Sequence, residues 1–387
     1  MDVARSLPIT LATIVVLASV LAPAAVADET VATVVRPTVL SGYGGSLVWS
    51  AFDPVSRSYR LMARTGGVTS PLPVAPRTVP FDVDLGPDRS GRTVAAYSRC
   101  RVEPAARRPA LGNAMTQLPQ WSRGRGCDLY RLDLASGREV RITSASSPRA
   151  SEFLPSIWRG RVVFARRYER KHGRAGRRAY LYVRVLRGAG RTRRLPAGSR
   201  SSLRLCGPQH RPPRCPLTVE PGPTALDLAG SRLALGWDSG DQGGVTSSVY
   251  VETIGRRTVD KKLLDRQSSG DIQGAEMFSP LMAGVGRVLW EMTLFGDETS
   301  NRVRRYTLAI NKLEEATIPA ALDRFVRPTL GLASDSTELY YLLSGGRSSE
   351  PGCTPQTPCS VGPGCSESDP CAIRTATGLS FTRAPRR

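Results

Sequence analysis

A short pattern recurs six times along this chain and constrains its fold more than any other feature. A glycine or serine turn is followed by a variable or basic residue and then by a run of β-branched and apolar residues. The copies are Gly45-Ser46-Leu47-Val48-Trp49, Gly91-Arg92-Thr93-Val94-Ala95-Ala96-Tyr97, Gly160-Arg161-Val162-Val163-Phe164, Gly230-Ser231-Arg232-Leu233-Ala234-Leu235, Gly286-Arg287-Val288-Leu289-Trp290 and Ser336-Thr337-Glu338-Leu339-Tyr340-Tyr341. Behind each lies a second run, usually with a tyrosine near its start, as at Tyr59, Tyr130, Tyr182, Tyr250 and Tyr306; the sixth is the degenerate Cys371-Ala372-Ile373. Several copies add a glycine-bearing turn and a final short run, as in Ser136-Gly137-Arg138-Glu139-Val140. Ahead of the first run stands a segment often holding Pro before Thr or Ser, at Pro37-Thr38, Pro155-Ser156 and Pro328-Thr329. Each unit thus supplies four short strands, a to d, and no long stretch carries the 3.6-residue period of a helix.

One such unit cannot cover both of its faces, so neighbours must pack against it. The expected fold is all-β: a six-bladed β-propeller with four-stranded antiparallel blades and long disulfide-bonded loops on one face. The blades fall at roughly 35–76, 80–145, 151–198, 223–266, 277–320 and 326–385 of a single domain, 28–387. The stretch Asp84-Leu85-Gly86-Pro87-Asp88-Arg89-Ser90-Gly91-Arg92, with Asp128-Leu129-Tyr130-Arg131-Leu132-Asp133 and Arg141-Ile142-Thr143 after it, resembles one full repeat of the TolB-like and WD-repeat-like propellers of the bacterial envelope. The resemblance covers about 35 to 385 and implies an extracytoplasmic propeller. TolB-like proteins carry an α/β domain ahead of the propeller, and no role in the Tol-Pal system is carried over.

The beginning of the chain points to export. Leu7 to Leu21 is apolar apart from Thr and Ser, and Ala25-Val26-Ala27 offers small residues at cleavage spacing, so 1–27 is expected to be a signal peptide with Asp28 the mature N-terminus. No later stretch is apolar for long enough to span a membrane as a helix. Eight cysteines fit an oxidising compartment. Cys100 ends a b strand and Cys127 starts the c strand after it, so these two should pair, and Cys206 should pair with Cys215. For the last four, a nested arrangement (Cys353 with Cys371, Cys359 with Cys365) is favoured slightly over two local pairs (Cys353 with Cys359, Cys365 with Cys371). The six-residue spacing lacks the C-x-x-C knuckles of structural zinc sites, and no metal or other cofactor is expected.

Charge bears on function. Lys plus Arg is 54 against 33 for Asp plus Glu, a net +21, and only four of the cations are lysines. Two histidines, His172 and His210, leave little material for histidine chemistry. There is no G-x-S-x-G elbow, no dinucleotide-binding G-x-G-x-x-G and no P-loop. Asp238-Ser239-Gly240-Asp241 and Asp297-Glu298 read as solvated turns, and Trp49, Trp237 and Trp290 as packing between blades.

Strand parity places the insertions. The b to c turns and the d to a links leave an antiparallel blade on one face, and the a to b and c to d turns on the other. The long segments 101–126, 166–180, 199–222 and 344–371 therefore crowd one face, and the first three carry formal charges of +4, +6 and +3. A hairpin tip holding Arg166, Arg167, Arg170, Lys171, Arg174, Arg177 and Arg178 is the candidate anion-binding and partner-binding element, open to neutralisation without harm to a core strand. The expected function is a non-catalytic binding or scaffold protein of the envelope whose partner is an envelope protein or an anionic polymer. A propeller lyase or hydrolase with its site at the channel mouth is the alternative. Without a basic stripe interleaved with aromatics, nucleic acid is not expected.

Overall fold

The computed structural model describes residues 29–103, 124–168, 179–186, 192–196, 203–204, 218–219, 222–241, 244–255, 258–269, 274–295, 300–318, 329–335, 338–343, 365, 370–376 and 379–384. Apart from a three-residue 3₁₀ turn at Thr143–Ala145, the regular structure among them is β. Burial is heaviest in the a strands of blades two and three and in continuous stretches of the b strands, because blades pack against both of their faces. The b strands Ser46–Asp53 and Arg161–Tyr168 each contain five consecutive buried residues. The d strand of blade one, Val68–Pro71, is exposed throughout.

Blade one comprises Leu40–Tyr43, Ser46–Asp53, Ser58–Thr65 and Val68–Pro71. Blade two comprises Asp84–Pro87, Thr93–Val102, Arg125–Asp133 and Glu139–Arg141. Blade three is formed by Ala150–Trp158, Arg161–Tyr168, Ala179–Val185 and Arg193–Arg194. Blade four runs through Gly222–Ala229, Arg232–Asp241, Gly244–Ile254 and Val259–Ser269, and blade five through Gly274–Ala283, Arg287–Phe295, Ser300–Thr307 and Lys312–Thr317. A single pairing of Ser269 with Gly274 joins these two into one sheet. Each a strand lies against the a strand of the next blade, and that of blade six (Thr329–Ser334) against that of blade one, which closes the ring. An apolar cluster fills each gap between neighbouring blades; Trp49, Trp237 and Trp290 are buried in three of them. The fold is a six-bladed propeller of antiparallel blades.

The way blade six is completed departs from the expected repeat. Its outermost strand is Thr30–Val34, from the other end of the described chain, paired antiparallel with Cys371–Thr375. The late strand Thr382–Arg383 instead adds to the d strand of blade five, opposite Glu315 and Glu314. Thus the residues ahead of the first repeat supply the clasp. Val34 is 3% exposed within the cluster between blades six and one, and Glu29 and Thr375 exchange two hydrogen bonds of 3.0 Å. Val34→Ala is expected to lower stability by about 1 to 2 kcal/mol in urea titration. Substitution of the exposed Thr30 by Ser is expected to change it little.

Candidate partner-binding face and channel

The inserted face is footed on the ends of the b and c strands. In blade two, Cys100 and Cys127 stand opposite one another and are disulfide-bonded, with Cα atoms 3.7 Å apart, so the bridge closes the neck of the 104–123 segment. Arg77, in the link from blade one, braces that neck from below. Its Nη1 donates to Ser98 O at 2.7 Å and faces Asp82 Oδ1 at 3.4 Å, while Nε and Nη2 grip the two oxygens of Glu103 at 3.1 and 3.0 Å. Asp82 is buried and also accepts from the Ser98 amide and hydroxyl and from the Leu154 amide of blade three. The Arg77 and Asp82 side chains therefore tie blades one, two and three together directly beneath the insertion. A bidentate guanidinium fork is the side chain best suited to that task.

Two of the seven candidate cations are not in a hairpin tip. The b strand of blade three continues to Tyr168, with Arg166 opposite Tyr180 and Arg167 opposite Ala179. Arg166 is 8% exposed. Its Nε lies 2.8 Å from Glu152 Oε1, its Nη2 donates to Ala145 O at 2.6 Å, and its Cζ sits 4.7 Å from the centre of the Tyr182 ring. Arg167 donates to Gly124 O at 2.7 Å and so links blade three to the neck of blade two. The expectation that these arginines can be neutralised at no structural cost is corrected for Arg166, because extended pairing carries it into the packed blade. Glu152 is fully buried, and burial pushes its carboxyl up to about 7 against the opposing pull of Arg166. Arg170, Lys171, Arg174, Arg177 and Arg178 lie outside the described residues.

The disulfides of the last blade are also corrected. Cys371, buried at the start of the c strand, is bonded to Cys365, with Cα atoms 5.0 Å apart, so the nested arrangement does not occur and this pair is local. Cys353, Cys359, Cys206 and Cys215 fall outside the described residues. The strands flanking the last two do pair, Leu203 with Val219 and Arg204 with Thr218. Asp238 lies within the b strand Arg232–Asp241, not in a solvated turn, and burial pushes its carboxyl up to about 6, partly offset by the Ser247 hydroxyl. Asp297 and Glu298 are outside the described residues, as is the expected signal peptide.

The inner ring holds a ladder that repeat spacing alone did not disclose. Ser41 Oγ accepts from the Leu85 amide at 2.8 Å, Asp84 Oδ2 from Ile157 at 3.0 Å, Ser156 Oγ from Leu228 at 2.7 Å and Asp227 Oδ2 from Met282 at 2.6 Å. In each step an a-strand side chain captures a backbone N–H of the next blade's a strand. The available signal was a short polar residue inside an otherwise apolar run. Burial, followed by the nearby Asp227 charge, raises the Asp84 carboxyl well above its ordinary range, and Asp227 is raised by burial as well. Two neighbouring carboxyls of this kind could shuttle a proton, but their oxygens are already committed to holding blades together. Among the described residues, no three His, Cys, Asp or Glu side chains come together as metal ligands.

With its ring of a strands closed and its inner ladder in place, the architecture can be set beside known structures. The chain is a six-bladed β-propeller similar to that of TolB. TolB from Acinetobacter baumannii aligns over 88% of this chain and 66% of its own length, at 10% identity and a TM-score of 0.41. The propeller domain of the trilobed protease from Pyrococcus furiosus aligns over 89% and 78%, at 11% identity and 0.42. An oligogalacturonate lyase solved with manganese aligns over 88% and 90%, at 9% identity and 0.37. The chain thus spans just under two thirds of TolB. No protein-family model and no curated protein matches the sequence. Among the described residues no helix is long and apolar enough to cross a membrane.

Proposed function

We propose that this propeller is an extracytoplasmic, non-catalytic binding module of the cell envelope, and that its inserted face recognises an anionic partner. One observation carries the reading. The acidic groups at the inner ring are occupied as backbone acceptors between blades, whereas the sequence places a large excess of cations in the segments 101–126, 166–180 and 199–222. The disulfides at the neck of blade two and at Cys365–Cys371 support an oxidising compartment, as does the apolar leader of the sequence.

The test replaces Arg170, Lys171, Arg174, Arg177 and Arg178 by Ser or Gln and leaves Arg166 and Arg167 in place. Retention of envelope components by the mature protein is expected to fall at least tenfold. The wild-type interaction should weaken steeply with salt, since exposed charges are screened over about 8 Å at physiological ionic strength. Unchanged retention would remove the basic insertion from recognition, and depolymerisation of a uronate polymer by the purified protein would overturn the non-catalytic reading.

A further inference from the structure

The face opposite the insertions carries a second concentration of cations, together with aromatic rings. Tyr43 and Trp158 occupy the same place in their blades, the last residue of the a strand, opposite Ser46 and Arg161 respectively. Although one belongs to blade one and the other to blade three, their rings meet edge to face with centroids 5.7 Å apart. Blade two lies between them and has Gly86 near the end of its a strand. A Cβ there would collide with the Ile157 carbonyl, so the missing side chain lets the a strands of blades two and three approach closely; the matching last residue of the blade two a strand is Pro87, opposite Thr93. The matching ends of blades four and five carry Ala229 and Ala283, and Trp158 packs against the cluster that contains Ala229, Met282 and Trp290. Trp158 therefore reaches across the inner ring, and both it and Tyr43 stay partly open to solvent.

Arginines stand at or beside the a to b turns of blades two to five on the same face as this pair: Arg89, Arg159, Arg161, Arg232 and Arg287. Arg89, Arg159 and Arg287 are exposed. Arg92, on the same face, is bound by Asp88 and Asp133, but none of the other five makes an ion pair among the described residues. One guanidinium nitrogen of Arg161 is shut from solvent with no hydrogen-bond partner. Arg159 has φ +44° and Gly160 φ +79°, the two positive values of a tight hairpin turn, whose first place normally goes to Asn, Asp or Gly. The arginine held there at conformational cost is exposed beside the a-strand end that carries Trp158.

We propose that this turn face is a binding site for an anionic polysaccharide, in which sugar faces pack on Trp158 and Tyr43 and the arginines of the a to b turns take the acid groups. Guanidinium forks match carboxylates in plane, and a partly exposed indole offers a flat apolar surface of the kind sugar rings cover. An acidic peptide fits less well, because peptides seek a free sheet edge or a groove. The a to b turns on this face are only two to five residues long, and the free edges of the a strands belong to the inner ring, where side chains of one blade already hold backbone N–H groups of the next. The site is independent of the inserted-face reading, being on the other side of the ring.

The test measures binding of alginate oligosaccharides, neutral dextran and poly-L-glutamate to the mature protein at low salt. Alginate is expected to bind and dextran not. A triple variant at exposed positions, Arg89→Gln, Arg159→Asn and Arg287→Gln, should weaken alginate at least tenfold. Trp158→Ala should do the same for alginate and leave poly-L-glutamate unmoved; should it fail to fold, Trp158→Phe retains a ring and should keep most of the affinity. The proposal is overturned by absence of alginate binding, by unchanged binding in the triple variant, or by equal binding and equal losses for poly-L-glutamate, which would make this an acidic-protein surface. Loss confined to the basic insertion variant would overturn it too, while sparing the inserted-face reading.

Discussion

An Arg166→Gln variant is expected to lose about 3 kcal/mol of folding stability at pH 8, read from its denaturant midpoint. Removing the guanidinium, which packs over Phe164 and Tyr182, leaves the fully buried Glu152 carboxyl without its cation and takes a donor from the Ala145 carbonyl as well. Breaking one half of a buried pair is costly because the remaining charge has no solvent to return to. The carboxyl then rises further and stays protonated in the folded variant while ionising in the unfolded chain. That difference grows as pH climbs above the ordinary glutamate range and vanishes below it. The loss is therefore expected to be much smaller at pH 4 than at pH 8. A double variant, Glu152→Leu with Arg166→Met, should recover most of the stability, since a well-packed apolar pair often equals a buried ion pair. Equal losses at both pH values would mean that Arg166 matters through packing alone.

Glu291→Leu is expected to do the opposite and stabilise the protein by about 1 to 3 kcal/mol at neutral pH. Glu291 is in the b strand of blade five, fully buried, and neither of its oxygens has a hydrogen-bond partner. It shares a strand face with Leu289, whose cluster contains Leu281, Val303, Leu332 and Tyr341, so the carboxyl sits among apolar side chains between blades five and six. Burial raises it well above the usual range. A raised carboxyl contributes its stability fully below the unfolded value, and loses it as pH rises through the folded one. Glu152 and Asp238, raised to about 7 and about 6, act in the same direction. Stability of the wild type should therefore decline from mildly acid toward alkaline pH. Glu291→Leu should flatten that decline, and Glu291→Gln should help at alkaline pH without helping in acid. An unaltered pH slope in the leucine variant would show that Glu291 is not buried in this way.

Much of the architecture was legible because the propeller is written in local patterns. The b-strand runs at Leu47–Trp49, Val162–Phe164 and Leu233–Leu235 are short, apolar and bounded by turns, and burial on both faces demands such runs whatever the neighbours are. Strand parity likewise put Cys100 opposite Cys127, since both flank one hairpin. Parity could not show how far a hairpin extends. Arg166 and Arg167 look like loop residues by composition, yet pairing with Tyr180 and Ala179 draws them into the sheet, where Glu152 makes burial tolerable. The local bridge from Cys371 to Cys365 is a choice between near-equal spacings, and spacing does not distinguish them.

Closure of the ring was beyond any local pattern. Thr30–Val34 becomes the outer strand of blade six only because a circular array brings the first and last blades together, and pairing across that distance in sequence leaves no periodic trace. The same holds for the Ser41, Asp84, Ser156 and Asp227 ladder and for the meeting of Tyr43 with Trp158: each residue is ordinary within its own blade and acquires a partner from another. The sequence by itself determined the number of blades, the a to d strand order within the first five and the face on which the insertions emerge, because these follow from repeat length and parity. Tertiary structure alone decided which charges are buried, which are free and which blades touch across the axis, because burial and Coulomb interactions depend on distances that only the closed ring sets.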